Sequence, residues 1–316
     1  MKASRSWCVL LLAVTLTAAA AAPRAQESKK KQPAEPRPLT VRLSALVLDA
    51  RDKPVGDLRA EDFQVVEDGA PQKVTHFEKL EGPHAFGLLV DSSGSLRSDI
   101  NYVVSFGKLV VNGTGENAAG FVVSFISSDN IKVFQDTTTD KRALNAALDD
   151  IFIEGGQTAI NDAVYLGAER LGQFKKIEKM PRRYSVVVVT DGEDRASWYK
   201  DEDVFKKVRE AGVRLFVIGL VQKSYRATTA EKAKQYMRRL ASESGGSVYF
   251  FKKGDELAPV AQRVLEDMNA NYLIGYESTN PRRDGSARKI AVSVAAGAGG
   301  EARKVFARDG YDAPKK

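Results

Sequence analysis

AFGLLVDSSGS, at residues 85–95, joins an apolar run directly to a polar turn. The apolar part, 85–90, is continuous rather than alternating, which is typical of a strand that is covered on both faces of a sheet. The polar part has the pattern D-x-S-x-S, in which Asp91, Ser93 and Ser95 present one carboxylate and two hydroxyls at alternate positions. The sequence therefore predicts a buried strand that is followed by three oxygen-bearing side chains.

Two further segments place oxygen-bearing side chains at the ends of predicted elements. GGQT at 155–158 precedes a helical pattern, and VVVVTDG at 186–192 ends a second continuous apolar run. They add Thr158 and Asp191 to the possible oxygen ligands. Because Mg²⁺ prefers oxygen ligands and readily keeps some waters, the set predicts a Mg²⁺ site, with Mn²⁺ or Ca²⁺ as alternatives. An interpretation without metal is that these are polar turn and cap residues, positions that Asp, Ser and Thr also favour.

The three segments resemble the von Willebrand factor type A domain and its metal-ion-dependent adhesion site. Asp91, Ser93 and Ser95 match the first metal loop of that family. Thr158 matches its threonine loop, and Asp191 matches the aspartate of its third loop. The resemblance implies direct metal ligation by the two serines, with Thr158 acting directly or through water. The two carboxylates would act partly through water, and one coordination position would accept a Glu or Asp carboxylate from a partner protein.

The resemblance covers residues 82–270 and implies an α/β fold with a doubly wound, mostly parallel, Rossmann-like sheet. Continuous apolar runs predict buried strands at 86–90, 121–125, 185–189 and 213–220. Helices are predicted near 100–111, 141–151, 159–171, 202–211, 230–242 and 256–269. In the resembled fold, the strands before Asp91 and Asp191 are neighbours where the strand order reverses, and doubly wound sheets bind ligands at such a crevice. We therefore expect the three segments to converge.

Both flanks of this region have patterns of short strands and turns. The N-terminal flank, 39–81, alternates at 41–48 and contains the hairpin-type turn EDG at 67–69. The C-terminal flank, 271–316, alternates at 289–294. Since chain ends often lie near each other, we expect the flanks to form one small β-rich module. The flanks also resemble those of secreted von Willebrand factor A-related acidobacterial proteins. The motifs that carry this resemblance are EDF at 61–63, EDG at 67–69, YLIGY at 272–276 and RDGY at 308–311.

The first 25 residues have the pattern of a secretory signal peptide. Basic residues precede an apolar stretch at 8–22, and small residues lie near the expected cut between Ala21 and Gln26. The stretch is shorter than the about 20 residues that span a bilayer comfortably. No transmembrane segment is expected later in the chain. We expect a periplasmic or extracellular protein in which residues 26–38 form a disordered linker.

The charge and cysteine content narrow the possible partners. The formal net charge is +7, and removal of the three basic residues of the leader, without any acid, lowers it to +4. Aromatic residues do not interleave with the single basic run at 29–31, so nucleic-acid binding is not expected. Cys8, the one cysteine, would leave with the leader, so disulfides are not expected in the mature chain.

The chain is not expected to be an enzyme. Its two histidines, His76 and His84, precede the metal loop and lie outside any metal-ligand spacing. Neither a G-x-S-x-G motif nor a Lys-containing phosphate loop is present. The favoured interpretation is a metal-dependent, adhesion-type protein-binding module. One alternative is a structural envelope or matrix protein whose metal only stabilises the fold, and a weaker one is a metal-dependent hydrolase with Asp191 as base.

Two pairs of charged residues have alternative interpretations. Glu193 and Asp194, after the third segment, are interpreted as exposed, solvated acids. Alternatively, one of them could occupy the open coordination position of a neighbouring copy, which makes self-association a second kind of partnership. Arg182 and Arg183 are interpreted as part of a solvated loop, with a basic patch as the alternative.

Overall fold

The computed structural model describes residues 39–51, 53–192, 194–220, 227–251, 256–297 and 300–314. The predicted leader at 1–25 and linker at 26–38 lie outside these ranges, and so does Glu193. Within the described ranges, no helix combines the length and the apolar character that are needed to cross a membrane.

The secondary structure follows an alternation of strands and helices between two strand-rich flanks. The strands are β1 (Leu39–Leu48), β2 (Phe63–Glu67), β3 (Ala70–Gln72), β4 (Val74–Lys79), β5 (His84–Asp91), β6 (Ala119–Phe125), β7 (Ile131–Thr138), β8 (Arg183–Thr190), β9 (Arg214–Leu220), β10 (Val248–Phe251), β11 (Tyr272–Ser278), β12 (Ala287–Val294), β13 (Lys304–Ala307) and β14 (Gly310–Asp312). The helices are α1 (Ile100–Gly113), α2 (Lys141–Asp149), α3 (Ile160–Ile177), α4 (Asp201–Ala211), α5 (Ala227–Ser242) and α6 (Leu257–Met268).

A six-stranded sheet of order β10-β9-β8-β5-β6-β7 forms the centre of the described structure. Its strands pair in parallel, except that β7 is antiparallel to β6 at one edge. Helices α3, α4 and α5 pack on one face, and α1, α2 and α6 pack on the other. Every residue of β5 is buried, as its continuous apolar sequence predicts for a strand covered on both faces. The predicted doubly wound α/β fold is confirmed.

The strand order reverses between β5 and β8, which lie side by side with Leu88 opposite Val187. The chain passes from β5 to β6 and β7 on one side, and later from β8 to β9 and β10 on the other. Such a reversal leaves a crevice beyond the carboxyl ends of the two central strands. Asp91 is the last residue of β5 and Asp191 follows β8 directly, so both acids lie at this crevice.

Strands of the two flanks form two further sheets in the described structure, of order β13-β1-β11-β4 and β14-β12-β2-β3. In the first sheet, β1 runs antiparallel to β11, and in the second, β2 runs antiparallel to β12. Apolar side chains of both sheets, including Leu43, Val65 and Ile274, pack into one buried cluster. The expected combination of the two flanks into β-rich structure is therefore confirmed.

A buried polar cluster also joins the two flanks. Glu67 is 1% exposed and accepts hydrogen bonds from the hydroxyls of Tyr276 at 2.7 Å, Ser278 at 2.6 Å and Tyr311 at 3.0 Å. The guanidinium of Arg288, itself buried, lies 3.9 Å from the same carboxylate. These donors offset the cost of removing a carboxylate from water. The cluster therefore connects β2 to β11, β12 and β14.

Arg214 links the central sheet to the flanking sheets. Its side chain donates hydrogen bonds to Ser44 Oγ at 3.1 Å and to the carbonyl oxygens of Asp267 and Met268, both at 2.8 Å. These carbonyls lie at the carboxyl end of α6, where backbone acceptors lack partners within the helix. Burial lowers the pKa of Arg214 to about 10, against the favourable charge of Asp267, so the side chain stays charged at neutral pH.

Arg182 and Arg183 are part of the packed structure, and their interpretation as a solvated loop was wrong. Arg182 pairs with Glu178 at 2.7 Å and donates to the backbone carbonyls of His84 and Asn117. Arg183 donates to the carbonyl of Leu80. The two guanidinium groups therefore hold the segments before β5 and β6 against the start of β8.

Candidate metal centre

Three loops meet at the carboxyl ends of β5 and β8. We call residues 92–99 the first loop, 150–159 the second loop and 191–200 the third loop; they precede α1, α3 and α4, respectively. Residue 193 of the third loop lies outside the described ranges. Each loop carries at least one residue that the sequence predicts as a metal ligand. Asp91, the fifth predicted ligand residue, ends β5 next to the first loop.

The first loop follows Asp91, the last residue of β5, which is completely buried. Its Oδ1 accepts a hydrogen bond from the backbone N–H of Ser93 at 2.9 Å, and its Oδ2 accepts one from the hydroxyl of Thr190 at 2.7 Å. The hydroxyls of Ser93 and Ser95 lie 2.9 Å apart. Ser93 is 1% exposed, whereas Ser95 is exposed to solvent. The turn thus gathers one carboxylate and two hydroxyls, with Ser95 on the solvent side.

The second loop passes close to the first and carries Thr158, which is 4% exposed. The N–H of Glu154 donates to the carbonyl of Ser92 at 3.3 Å. A Cβ placed on Gly94 would lie 3.6 Å from the Cα of Gly155. Gly155 has a φ of +90°, a conformation that glycine adopts without the strain of a side chain. The glycine therefore helps the second loop to lie against the first.

The third loop carries Asp191, which is 1% exposed. It is joined to the second loop by hydrogen bonds from the N–H groups of Arg195, at 2.8 Å, and Ala196, at 3.2 Å, to the carbonyl of Thr158. Gly192 has a φ of +84°, and its N–H donates to the hydroxyl of Thr190 at 3.1 Å. The structure therefore places four of the five predicted ligand residues on loops that contact one another, and the fifth, Asp91, at the end of β5 beside them.

The electrostatics of the crevice favour a cation. Burial raises the pKa of Asp91 to about 7, and the negative charge of Asp191 adds to this rise. Hydrogen bonds from Ser93 and Thr190 oppose the rise but do not cancel it. Two buried carboxylates that repel each other are stabilised when a positive charge lies beside them.

The chemistry of the possible ligands fits a hard cation. Within the described residues, no three His, Cys, Asp or Glu side chains cluster so that they could hold a metal ion. A metal in this crevice would therefore depend on the hydroxyls of Ser93, Ser95 and Thr158 as well as on the two carboxylates. An oxygen-only set suits Mg²⁺, whereas zinc sites usually contain nitrogen or sulfur ligands.

Sequence reasoning missed the residue that holds the third loop in place. Asp162, in the first turn of α3, is 5% exposed and accepts hydrogen bonds from the N–H groups of Trp198 and Tyr199, both at 2.9 Å. An acid in the first turn of a helix is common because it stabilises the helix end. The sequence therefore offered no signal that Asp162 instead binds a loop about 35 residues later.

Asp194 also stabilises α3, and its interpretation as an exposed, solvated acid was wrong. Its Oδ1 accepts the N–H of Ile160, the first residue of the helix, at 2.8 Å. The same atom accepts the hydroxyl of Ser197 at 2.6 Å. Burial raises the pKa of Asp194, while these hydrogen bonds lower it. Asp194 therefore acts as a cap for the free N–H groups at this helix end.

Comparison with known proteins relates the chain to one family. The family model described as the von Willebrand factor type A domain matches residues 87–263, which include all five predicted ligand residues. None of the curated proteins matches the chain.

Several solved structures resemble parts of the chain. A von Willebrand factor type A protein from Catenulispora acidiphila is 12% identical with a TM-score of 0.48, and the match covers 88% of this chain and 74% of that chain. Proximal thread matrix protein 1 from the mussel byssus, with a zinc-occupied MIDAS motif, is 19% identical with a TM-score of 0.47, over 59% of this chain and 48% of that one. An aerotolerance-related membrane protein from Bacteroides fragilis is 16% identical with a TM-score of 0.45, over 59% and 98%.

The family match carries the assignment, since it spans more than half of the chain and includes the convergent loops. In the central sheet, the strands that precede Asp91 and Asp191 are neighbours where the strand order reverses, as the resemblance implied. The chain belongs to the von Willebrand factor type A domain family.

Proposed function

We propose that this protein is an exported, metal-dependent binding protein of the adhesion type. It would capture a Glu or Asp carboxylate of a partner protein at the crevice between β5 and β8. The observation that carries the proposal is the contact among three loops at the buried pair Asp91 and Asp191, since these loops bear the hydroxyls of Ser93, Ser95 and Thr158. The leader pattern at 1–25 supports export to the periplasm or the cell exterior.

The residues of the crevice have separate roles in this proposal. The hydroxyls of Ser93, Ser95 and Thr158 would hold the cation, and Mg²⁺ is the ion that the ligand set fits best. When bound, the cation supplies positive charge to which an incoming carboxylate is attracted. Asp91 and Asp191 balance that charge from the buried side, and the hydrogen bonds that Asp91 accepts fix its orientation.

The exposure of these residues supports a site that is open to a partner. Asp91, Ser93 and Asp191 are at most 1% exposed, and Thr158 is 4% exposed. Ser95, in contrast, is exposed to solvent. Metal sites that only stabilise a fold are usually enclosed by protein ligands, whereas working sites keep one position accessible. The open side at Ser95 therefore favours binding over a purely structural role in an envelope or matrix protein.

The burial of the crevice acids favours binding over catalysis. A metal-dependent hydrolase needs a general base that can reach a substrate or its attacking water. The crevice acid suggested for that role, Asp191, is 1% exposed and lies beside Asp91. This arrangement suits charge balance better than proton exchange with a bound substrate.

The test is a calorimetric titration of the full chain with Mg²⁺ in sodium acetate and in sodium chloride of equal ionic strength. If a carboxylate and the metal occupy one site together, acetate raises the affinity for Mg²⁺, because coupling between two ligands is reciprocal. Asp191→Ala is the control and should bind little metal in either salt. Equal Mg²⁺ affinity in both salts would show a metal that only stabilises the fold, and no binding would refute the site.

A further inference from the structure

Three exposed aromatic side chains lie on the loops of the metal centre, and Tyr199 of the third loop, at 41%, is the least exposed of them. Trp198, in the third loop, is 85% exposed, and Phe152, in the second loop, is 58% exposed. Phe152 is two residues from Glu154, whose N–H contacts the first loop at Ser92. Isolated exposed apolar groups are common on protein surfaces, so exposure alone assigns no function. Trp198 differs from such groups because its backbone and that of its neighbour are held by hydrogen bonds.

The backbone of Trp198 is held firmly although its indole is exposed. Asp162 accepts the N–H groups of Trp198 and Tyr199, both at 2.9 Å. The ring of Tyr199 stacks on that of Tyr165, with centroids 3.8 Å apart and planes inclined by 6°. An aromatic residue on a fixed backbone loses little entropy when a partner packs on it, and such residues often dominate binding energy.

Exposed cations surround the same loops. Arg97 lies in the first loop, Lys200 ends the third loop, and Lys232 lines a cleft of about 380 Å³ beside Gly192. None of these three side chains forms an ion pair with another described residue. They are therefore available to attract an acidic segment that approaches the metal centre.

Several acids of the same surface are already engaged by the protein. Asp162 and Asp194 accept backbone N–H groups. Asp201 pairs with Arg239 at 2.9 Å, and Glu154 pairs with Lys132 at 2.6 Å. Among the described residues, the exposed charges left at these loops include the cations Arg97, Lys200 and Lys232 beside the acids Asp150 and Glu202, so the cations can attract an acidic segment on their side of the crevice.

We propose that the partner presents its carboxylate from an acidic peptide segment that also carries a large apolar side chain, and that this side chain packs on the indole of Trp198. The cations attract the acidic segment, and the apolar side chain removes the indole from water. Phe152 offers a second apolar contact at the second loop. The inference rests on the proposed function, because it places the carboxylate at the metal centre.

The test uses a library of random heptapeptides displayed on phage, selected on the full chain in Mg²⁺ and eluted with a chelator. Four proteins are compared: the natural chain, Trp198→Ala, Asp191→Ala and Ile177→Ala. Ile177 is a matched control because it is 77% exposed at the opposite end of α3 from the metal loops. Chelator elution restricts the selected peptides to those whose binding needs the metal.

We expect the natural chain and Ile177→Ala to select peptides in which Asp or Glu lies beside an aromatic or branched aliphatic residue. Trp198→Ala should keep the preference for an acid but lose the apolar neighbour, and Asp191→Ala should select neither. For a synthetic copy of a selected peptide, Trp198→Ala should weaken binding at least about tenfold, and Trp198→Phe should restore part of the loss.

A fluorescence titration provides an independent measurement. The chain has two tryptophans, Trp7 and Trp198, so Trp198 is the single tryptophan in a Trp7→Phe chain. Binding of the selected peptide should shift its emission to the blue, since the indole leaves water.

Two other outcomes separate the inference from the function on which it rests. Chelator-eluted acidic peptides without apolar neighbours, or an unchanged apolar preference in Trp198→Ala, would overturn the inference and leave the proposed function intact. If the natural chain yields no chelator-eluted acidic peptides, both the inference and the proposed function are refuted.

Discussion

The hydroxyl of Thr190 donates a 2.7 Å hydrogen bond to Oδ2 of Asp91, and this contact joins the carboxyl ends of β8 and β5. The same hydroxyl accepts the N–H of Gly192 at 3.1 Å. Thr190 and Asp91 are both completely buried. One buried hydroxyl thus helps to fix the positions of the two loops that carry the acids of the metal centre.

Replacement of this hydroxyl should weaken both the fold and the site. Thr190→Val keeps the shape of the side chain but removes a donor to a buried carboxylate. We expect a loss of about 1–3 kcal/mol in the free energy of unfolding. Mg²⁺ affinity should fall about tenfold or more, as is usual when a group that orients a ligand is lost. Urea denaturation and calorimetry measure the two effects, and Thr190→Ser, which keeps the hydroxyl, is the control. Unchanged Mg²⁺ affinity in Thr190→Val would contradict this role.

Asp162 should control the order of the third loop. Asp162→Ala removes the acceptor of the N–H groups of Trp198 and Tyr199, so the loop should open more often. We expect faster trypsin cleavage after Arg195 and Lys200, measured by mass spectrometry under native conditions. Glu202→Ala, which changes an exposed acid at the start of α4, should leave the cleavage rate unchanged. Equal rates in Asp162→Ala and the natural chain would show that other contacts hold the loop.

His84 should make stability depend on pH. It is 3% exposed, and its Nε2 donates to Oδ1 of Asn269 at 2.9 Å. Burial lowers its pKa from 6.5 to about 4, and the charges of Arg214 and Arg183 also lower it. The unfolded chain therefore binds a proton before the folded one as the pH falls. The stability that neutral His84 provides is complete above pH 6.5 and is lost progressively toward pH 4, up to about 3 kcal/mol.

The measurement for His84 is urea denaturation at several pH values, with His84→Gln as the comparison. The difference in unfolding free energy between the natural chain and the variant should decrease as the pH falls from 6.5 to 4. A difference that stays constant over this interval would show that His84 does not titrate as its burial implies. The comparison uses how the unfolding free energy of each protein changes with pH, so an effect of the substitution that is the same at every pH cancels.

Arg214 should hold the central sheet to the flanking sheets. Arg214→Met fills similar space but leaves Ser44 and the carbonyls of Asp267 and Met268 without this donor. We expect a loss of about 2–4 kcal/mol in the free energy of unfolding, because buried acceptors lose their partners. Arg209→Met, which removes a half-exposed arginine from α4, should change stability little. If the two variants lose the same stability in urea denaturation, the link does not contribute as proposed.

The sequence predicted the parts of the fold that depend on local pattern. β5, β6, β8 and β9 are buried on both faces, so each appears as a continuous apolar run. The hairpin turn between β2 and β3 was visible because Asp68 and Gly69 both have positive φ, which favours that pair of residues. The predicted ligands of the first loop are within five residues of one another, so their spacing alone placed them together.

Other elements left no clear pattern in the sequence. β7 is a half-exposed edge strand of mixed polarity, IKVFQDTT, and it pairs antiparallel to β6 with register shifts. α3 runs to Ile177, six residues beyond its predicted end. The sequence pattern ends early because the last turns of the helix pack only partly and include Lys175 and Lys176. Mixed polarity of this kind hides both strand and helix periodicity.

The missed parts of the site depend on contacts between distant residues. Thr190 and Asp91 are 99 positions apart, and Asp162 and Trp198 are 36 positions apart. No local pattern identifies such pairs, and a tryptophan that is 85% exposed contradicts the usual expectation that large aromatic residues are buried. The boundaries 39–81, 82–270 and 271–316 stay predictions, and so does the resemblance of the flanks to secreted acidobacterial proteins.

The central claim, that Asp91 and the convergent loops bind a divalent cation, is tested most directly by thermal unfolding. The natural chain and Asp91→Ala are unfolded in chelator and then in excess Mg²⁺. At a concentration 100 times the dissociation constant, bound Mg²⁺ should add about 2.7 kcal/mol to the stability of the natural chain and nothing to that of Asp91→Ala. No gain in the natural chain, or an equal gain in both proteins, would contradict the claim.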